Sequence, residues 1–108
     1  MKYRVTILPR AKRQLLDQAL WWSENRSAEQ AFHWLEGFEQ ALSSLASNPE
    51  RCSVARESEI FDIVIRELHY GVRNKPTHRA IFEIRQDEVI VYTIRHSAQR
   101  DLTPDDLP

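Results

Sequence analysis

The sequence predicts an α+β domain in which an N-terminal strand leads into an α-helical hairpin packed on a small, mostly antiparallel sheet, in the order β-α-α-β-β-β. Three observations carry this. Apolar residues recur at helical spacing between Pro9 and Pro49, they give way to β-rich runs after Phe61, and 108 residues suffice for one core but not for two. A hydrophobic content of 42% with only two glycines marks a chain that folds.

Each element has a local cause. In "KYRVTIL", Tyr3, Val5 and Ile7 alternate as in a strand. Pro9 suits the first turn of a helix, where its missing N–H costs nothing, and Ala11, Leu15, Ala19 and Trp22 follow at helical spacing as far as about Asn25. "SAEQ", Ser27 to Gln30, has the form of a capping box. Ala31, Trp34, Leu35, Phe38, Leu42 and Leu45 then continue a second helix until Asn48 and Pro49 stop it. A tight turn near Arg26 makes the two helices a hairpin with an aromatic-rich seam. "FDIVIREL" from Phe61, "HRAIFEIR" from His78 and "EVIVYTIRH" from Glu88 are the remaining strands, the last two joined by a hairpin turn at Gln86 and Asp87. Residues 50–60 and 70–77 read as loops. The domain spans residues 1–102, and the acidic, proline-containing tail 103–108 is expected to fray.

Composition excludes several function classes. A net charge of −1 argues against coating nucleic acid by bulk attraction. The average hides a split: residues 61–100 carry seven basic groups against five acidic, whereas 11–50 carry three against six. The start "MKYRVTILPR" breaks its apolar pattern with charge too early for a secretory signal, and no stretch approaches the roughly 20 apolar residues of a membrane span; a cytoplasmic, non-membrane protein is expected. Cys52 is the sole cysteine, so neither an internal disulfide nor a cysteine-built zinc site is available. His33 and His69 lack companions at ligand spacing, and neither a metal nor a cofactor is expected. A Gly-rich phosphate loop and a G-x-S-x-G elbow are both missing, which removes nucleotide-hydrolase and α/β-hydrolase readings.

The chemistry-bearing residues lie in the closing strands. Side chains alternate between the faces of a sheet, so if Ile63 and Ile65 meet the helices, Arg66 looks outward, while Arg79 shares the face of Ile81 and Glu83. "IRHSAQRDL" adds Arg95, His96 and Arg100 at the end of the last strand. Convergence of Arg66, Arg79, Arg95, His96 and Arg100 would make a cationic patch: guanidinium forks bind phosphate or carboxylate, and an imidazole beside them moves protons near neutral pH. The alternative is a set of separate surface charges. Trp21, Trp22 and Trp34 stand at packing positions on helices, which makes them core or interface residues before base-stacking ones.

The stretches "YRVTILPRAKRQL", "AFHWLEGFEQALSSLASNP", "IREL", "HRAIFEI" and "VIVYTIRHSAQRDL", in that order, resemble the RelE/ParE superfamily of toxins from bacterial type II toxin–antitoxin modules, also known as plasmid stabilisation proteins. The resemblance implies the same fold, growth arrest and a cognate antitoxin with which the toxin forms a hetero-oligomer. It leaves two mechanisms open. RelE-like members are mRNA interferases acting on the ribosome; ParE-like members poison DNA gyrase. The ribonucleases hold lysines where this chain has Asp62 and Val64, and an arginine that falls on Arg79. In that reading Arg79 and His96 would be catalytic, with Glu57, Glu59 or Glu67 as a carboxylate partner. The missing lysines, the small net charge and the histidine-led "HSAQRD" place the chain closer to the ParE-like branch, with gyrase the leading target and the ribosome and mRNA the alternative. An inactive relative kept as a binding domain is a third reading. Trp21, Trp22 and Trp34 are the expected antitoxin-binding residues, held as an apolar groove holds a helix or extended segment.

Overall fold

A computed structural model describes residues 2–72 and 75–107. Strand β1 (Arg4–Ile7) is followed by helices α1 (Pro9–Asn25) and α2 (Ala28–Ser43), then by strands β2 (Arg66–Val72), β3 (Lys75–Arg85) and β4 (Glu88–His96). The order is the expected β-α-α-β-β-β. The sheet runs β1-β4-β3-β2, with β1 parallel to β4 and the other two pairings antiparallel.

Local chemistry sets the helix ends. Pro9 opens α1, Arg26 closes it through its N–H to the carbonyl of Trp22, and the Ser27 hydroxyl accepts the Gln30 N–H at 3.1 Å to start α2. Asn48 takes a left-handed conformation, φ 49°, just before Pro49, which ends the helical block. β1 stops at Ile7, leaving the edge of β4 open beyond Val91. Helix α1 closes it: the Gln14 carboxamide oxygen accepts the Ile94 N–H at 2.7 Å and the Thr93 hydroxyl at 3.0 Å.

Two strand boundaries differ from the sequence reading. Phe61–Ile65 is not strand; Phe61, Ile63 and Ile65 pack beneath the sheet instead of entering the ladder, Val64 is exposed, and the pairing of β2 with β3 begins where Arg66 meets Phe82. The supposed loop at 70–77 is largely the end of a long hairpin, with residues 73 and 74 outside the described residues. Gly71 and Pro76, which read as loop punctuation, face each other across a register shift: Pro76 has no N–H for the ladder, and a Cβ on Gly71 would collide with the Lys75 carbonyl and the Pro76 backbone beside it.

Both faces of the sheet are covered. The front face packs Ala80, Phe82, Val89, Val91 and Ile94 against Leu15, Trp34, Phe38, Leu42 and Leu45 of the helical side. The back face packs Ile81 and Tyr92 against Ala55, Ile65, Leu102 and Leu107. The tail expected to fray lies against this back face over 103–107. Leu102 and Leu107 are buried on either side of a 3-10 turn, Pro104–Asp106, whose carboxylate and Thr103 cap each other. Two apolar anchors outweigh the polar residues between them.

Gly37 exposes a tight point in the front layer. Tyr70 stacks on Phe38 with ring centroids 4.4 Å apart and donates its hydroxyl to the Trp34 carbonyl at 3.1 Å, passing directly over Gly37. A Cβ there would collide with the Tyr70 hydroxyl. Gly37→Ala should thus destabilise the fold by about 1–3 kcal/mol in urea unfolding, although alanine is the better helix former. In a Tyr70→Phe background most of that loss should disappear, because the colliding oxygen is gone.

Candidate functional site

A β-bulge decides where the charged side chains go. Ile81 pairs with Thr93 and Phe82 with Val91, so Tyr92 is an extra residue on β4 and the register moves by one beyond it. Arg79 then lies opposite Arg95, on the back face with Ile81, and His78 lies opposite His96, on the front face. Arg66, opposite Phe82, is also on the front face. Ile63 and Ile65 do not meet the helices, so the inference that Arg66 joins Arg79 fails with its premise.

Arg79 is 3% exposed and fully engaged. Its two terminal nitrogens clasp both oxygens of Glu57, the second at 2.9 Å, and Glu67 stands 3.7 Å away. Glu57 also accepts the Leu102 N–H at 3.0 Å, and Glu67 pairs with His69 at 2.8 Å. The hydrogen bonds from Arg79, helped by that from Leu102 and opposed by burial, hold the Glu57 carboxyl down at about 2. Glu59 is exposed and takes no part. A guanidinium with two buried carboxylates is already neutralised and has no room for a phosphate.

Arg95 and Arg100 form a neighbouring centre. Arg95, 5% exposed, donates to the Arg100 carbonyl at 2.6 Å and has its nearest carboxylate, Asp106, at 3.9 Å. Burial, with Arg100 and Arg79 close by, pulls its guanidinium below the ordinary value. Arg100 grips Asp106 with two bonds of 2.9 and 3.2 Å, which with the Thr103 N–H brings the Asp106 carboxyl down to about 2.

His96 faces the other way. Its Nδ1 accepts the Ala98 N–H at 3.0 Å and its ring meets His78 edge-on, centroids 5.1 Å apart. His78 is buried between the Thr77 hydroxyl, 2.8 Å from Nδ1, and the Gln18 carboxamide oxygen, 3.0 Å from Nε2. An oxygen acceptor at Nε2 selects the tautomer with its proton there. Burial, reinforced by His96, lowers His78 to about 4. These imidazoles line a cleft of about 500 Å³ with Gln18, Trp21, Trp22 and Gln99.

The five-residue patch thus divides into three places: Arg79, Arg95 and Arg100 on the back, His96 in the front cleft, and Arg66 donating to the Cys52 carbonyl at 2.7 Å near the other end of the sheet. The tryptophans divide as well. Trp21 is 46% exposed and Trp22 borders the cleft, whereas Trp34 is 3% exposed inside the core and is not available to a partner. His78 and Asp106 are the functional-looking residues that sequence reasoning missed. The Gln86–Asp87 turn carried a signal for His78, since it sets β3 against β4, but the bulge shifts the pairing by one residue.

Two outcomes follow. Arg79→Met should cost about 3–5 kcal/mol of stability in chemical denaturation, because Glu57 is left buried without its partner. Acid should destabilise the protein in two stages. The unfolded chain protonates its imidazole near 6.5 and folded His78 only near 4, so stability falls through that window. Glu57 and Asp106 are depressed to about 2, so their contribution is lost below the ordinary carboxylate range. Thermal midpoints of His78→Gln measured against pH should lack the first stage and keep the second.

Comparison with known proteins agrees with this architecture. Among solved structures, "Chromosomal ParDE TA system from P. aeruginosa" is similar with a TM-score of 0.69 at 15% sequence identity, over 88% of this chain and 96% of that one. No curated protein sequence matches. The model of the family described as "ParE toxin of type II toxin-antitoxin system, parDE" matches residues 5–101, nearly the whole folded chain. With the sheet order, the helical hairpin and that match in agreement, the chain belongs to the ParE toxin family of type II toxin–antitoxin systems.

Proposed function

We propose that this chain arrests bacterial growth as a cytoplasmic, ParE-like toxin that binds and poisons DNA gyrase and is neutralised by a cognate antitoxin. The observation that carries the choice of a binding mechanism over RNA cleavage is the state of Arg79. A scissile phosphate needs an open cationic receptor with a proton-transfer group in reach. Arg79 is instead closed by Glu57 and Glu67, and His96 lies on the opposite face of the sheet. Asp62 and Val64 supply no replacement cation, and a net charge of −1 suits a protein target better than a ribosome. Gyrase is the target that the family resemblance supplies.

For the antitoxin, the surface that fits is on α1. Leu16 and Leu20, one turn apart, are 61% and 58% exposed, and Trp21 adds an aromatic edge beside the front cleft. An apolar helix or extended segment laid there would bury these residues and reach Trp22. Among the described residues, no helix is long and apolar enough to cross a membrane.

Purified toxin added to gyrase and relaxed plasmid should block supercoiling and accumulate cleaved, gyrase-linked DNA, while messenger RNA in expressing cells stays intact as DNA damage responses rise. Early translation arrest with cut messages would overturn the proposal. Leu20→Arg or Trp21→Arg should weaken antitoxin binding at least about 100-fold in titration calorimetry, as loss of an interface anchor does.

A further inference from the structure

A second cleft, of about 500 Å³, opens on the back of the molecule where the start of α1 meets the C-terminal turn. Its cations are Arg10, Arg95 and Arg100, and its anions are Asp105 and Asp106. The three cations come from separate places: helix α1, strand β4 and the segment after it. Both anions belong to one short stretch, residues 103–107.

That stretch sits in the cleft as a ligand would. Asp106 gives its carboxylate to Arg100 in a bidentate pair, and its carbonyl accepts from Arg10 at 2.5 Å. Leu107 then enters the back-face cluster with Ile81 and Tyr92. The fit is incomplete, however. Arg95 is 5% exposed, and its Nε is buried without any hydrogen-bond partner among the described residues. Such a donor carries the full cost of desolvation with no hydrogen bond to offset it. The Asp106 carboxylate stands 3.9 Å from the same guanidinium, too far for a good hydrogen bond.

We propose that this cleft is a docking site for an acidic segment of a partner protein, of the type acidic residue followed by an aliphatic one, and that residues 103–107 are an internal occupant which the partner displaces. The chemistry of the occupant is read from the segment now in place: a carboxylate for the guanidiniums and an aliphatic side chain for the apolar floor. When that segment leaves, both carboxylates leave with it, and three guanidiniums face solvent in mutual repulsion that an incoming anion relieves. The apolar floor selects a protein segment over a nucleic-acid backbone, which carries phosphate but no aliphatic group at that spacing. Because the internal segment is tethered, its effective concentration is in the millimolar range. Binding in the resting protein is therefore weak, and releasing the tether strengthens it. The site is independent of whether gyrase is the target.

The test uses the full chain and a fluorescent peptide, Leu-Thr-Pro-Asp-Asp-Leu-Pro, that copies the internal occupant. Asp106→Asn and, separately, Leu107→Ser should each raise peptide affinity at least tenfold in anisotropy titrations, with thermal midpoints confirming that both variants are folded. Adding Arg100→Gln to Asp106→Asn should remove the gain, and unlabelled peptide should displace the probe where inorganic phosphate and a short DNA duplex do not. Failure of both release variants to strengthen binding would overturn the proposal, as would a gain that survives loss of Arg100. Displacement by phosphate or duplex as readily as by peptide would overturn it too, by marking a general anion site.

Discussion

The buried guanidinium of Arg79 is the constraint around which the back of the molecule is organised. A charge taken out of water must be met by opposite charge and by hydrogen bonds, or the fold loses several kcal/mol. Here Glu57 meets it from a segment that is mostly not strand, and Glu67 meets it from the neighbouring strand. Glu57 in turn accepts the backbone N–H of Leu102. One ion pair therefore ties the irregular stretch after α2 and the end of the chain to the middle of the sheet, and apolar burial of Ala55, Ile65, Leu102 and Leu107 closes around it.

This tie gives Arg79 a structural partner set of its own, two carboxylates that occupy its guanidinium. The same side chain can grip substrate phosphate or internal carboxylates, but not both. The absence of cations at Asp62 and Val64 and the presence of Glu57 are consistent with each other: an open anion site would need cations at those two positions, and a closed one needs the carboxylate. The accessible chemistry is displaced outward, to the imidazole and tryptophan cleft at the front and to the arginines held by Asp106 at the back.

The bulge at Tyr92 is the second organising feature. Continuing the register of the Gln86–Asp87 turn would have set Arg79 against Ile94 and turned the far half of β4 over. One extra residue instead puts Arg79 beside Arg95 and sends His96 to the helical face. Tyr92 itself stays on the back by ordinary alternation from Ile90, and its hydroxyl donates to Glu83 at 2.6 Å. Burial and that carboxylate push the phenol up to about 12.

Element order, the helical hairpin, its proline start and serine cap, the β3–β4 turn and the front core were legible because each rests on periodicity or on turn chemistry within a few residues. Family membership was legible for the same reason, through ordered motifs. The face on which each charged residue lies was not, since it depends on a one-residue bulge and on where β2 begins, and neither leaves a mark in local pattern. Likewise, Leu107 read as part of a loose tail, because nothing nearby in the chain covers it or Leu102. Their partners, Ile81 and Tyr92, are distant in sequence and become neighbours only through the sheet. Local residues set which elements form; long-range packing set which side chains are buried, paired or left open.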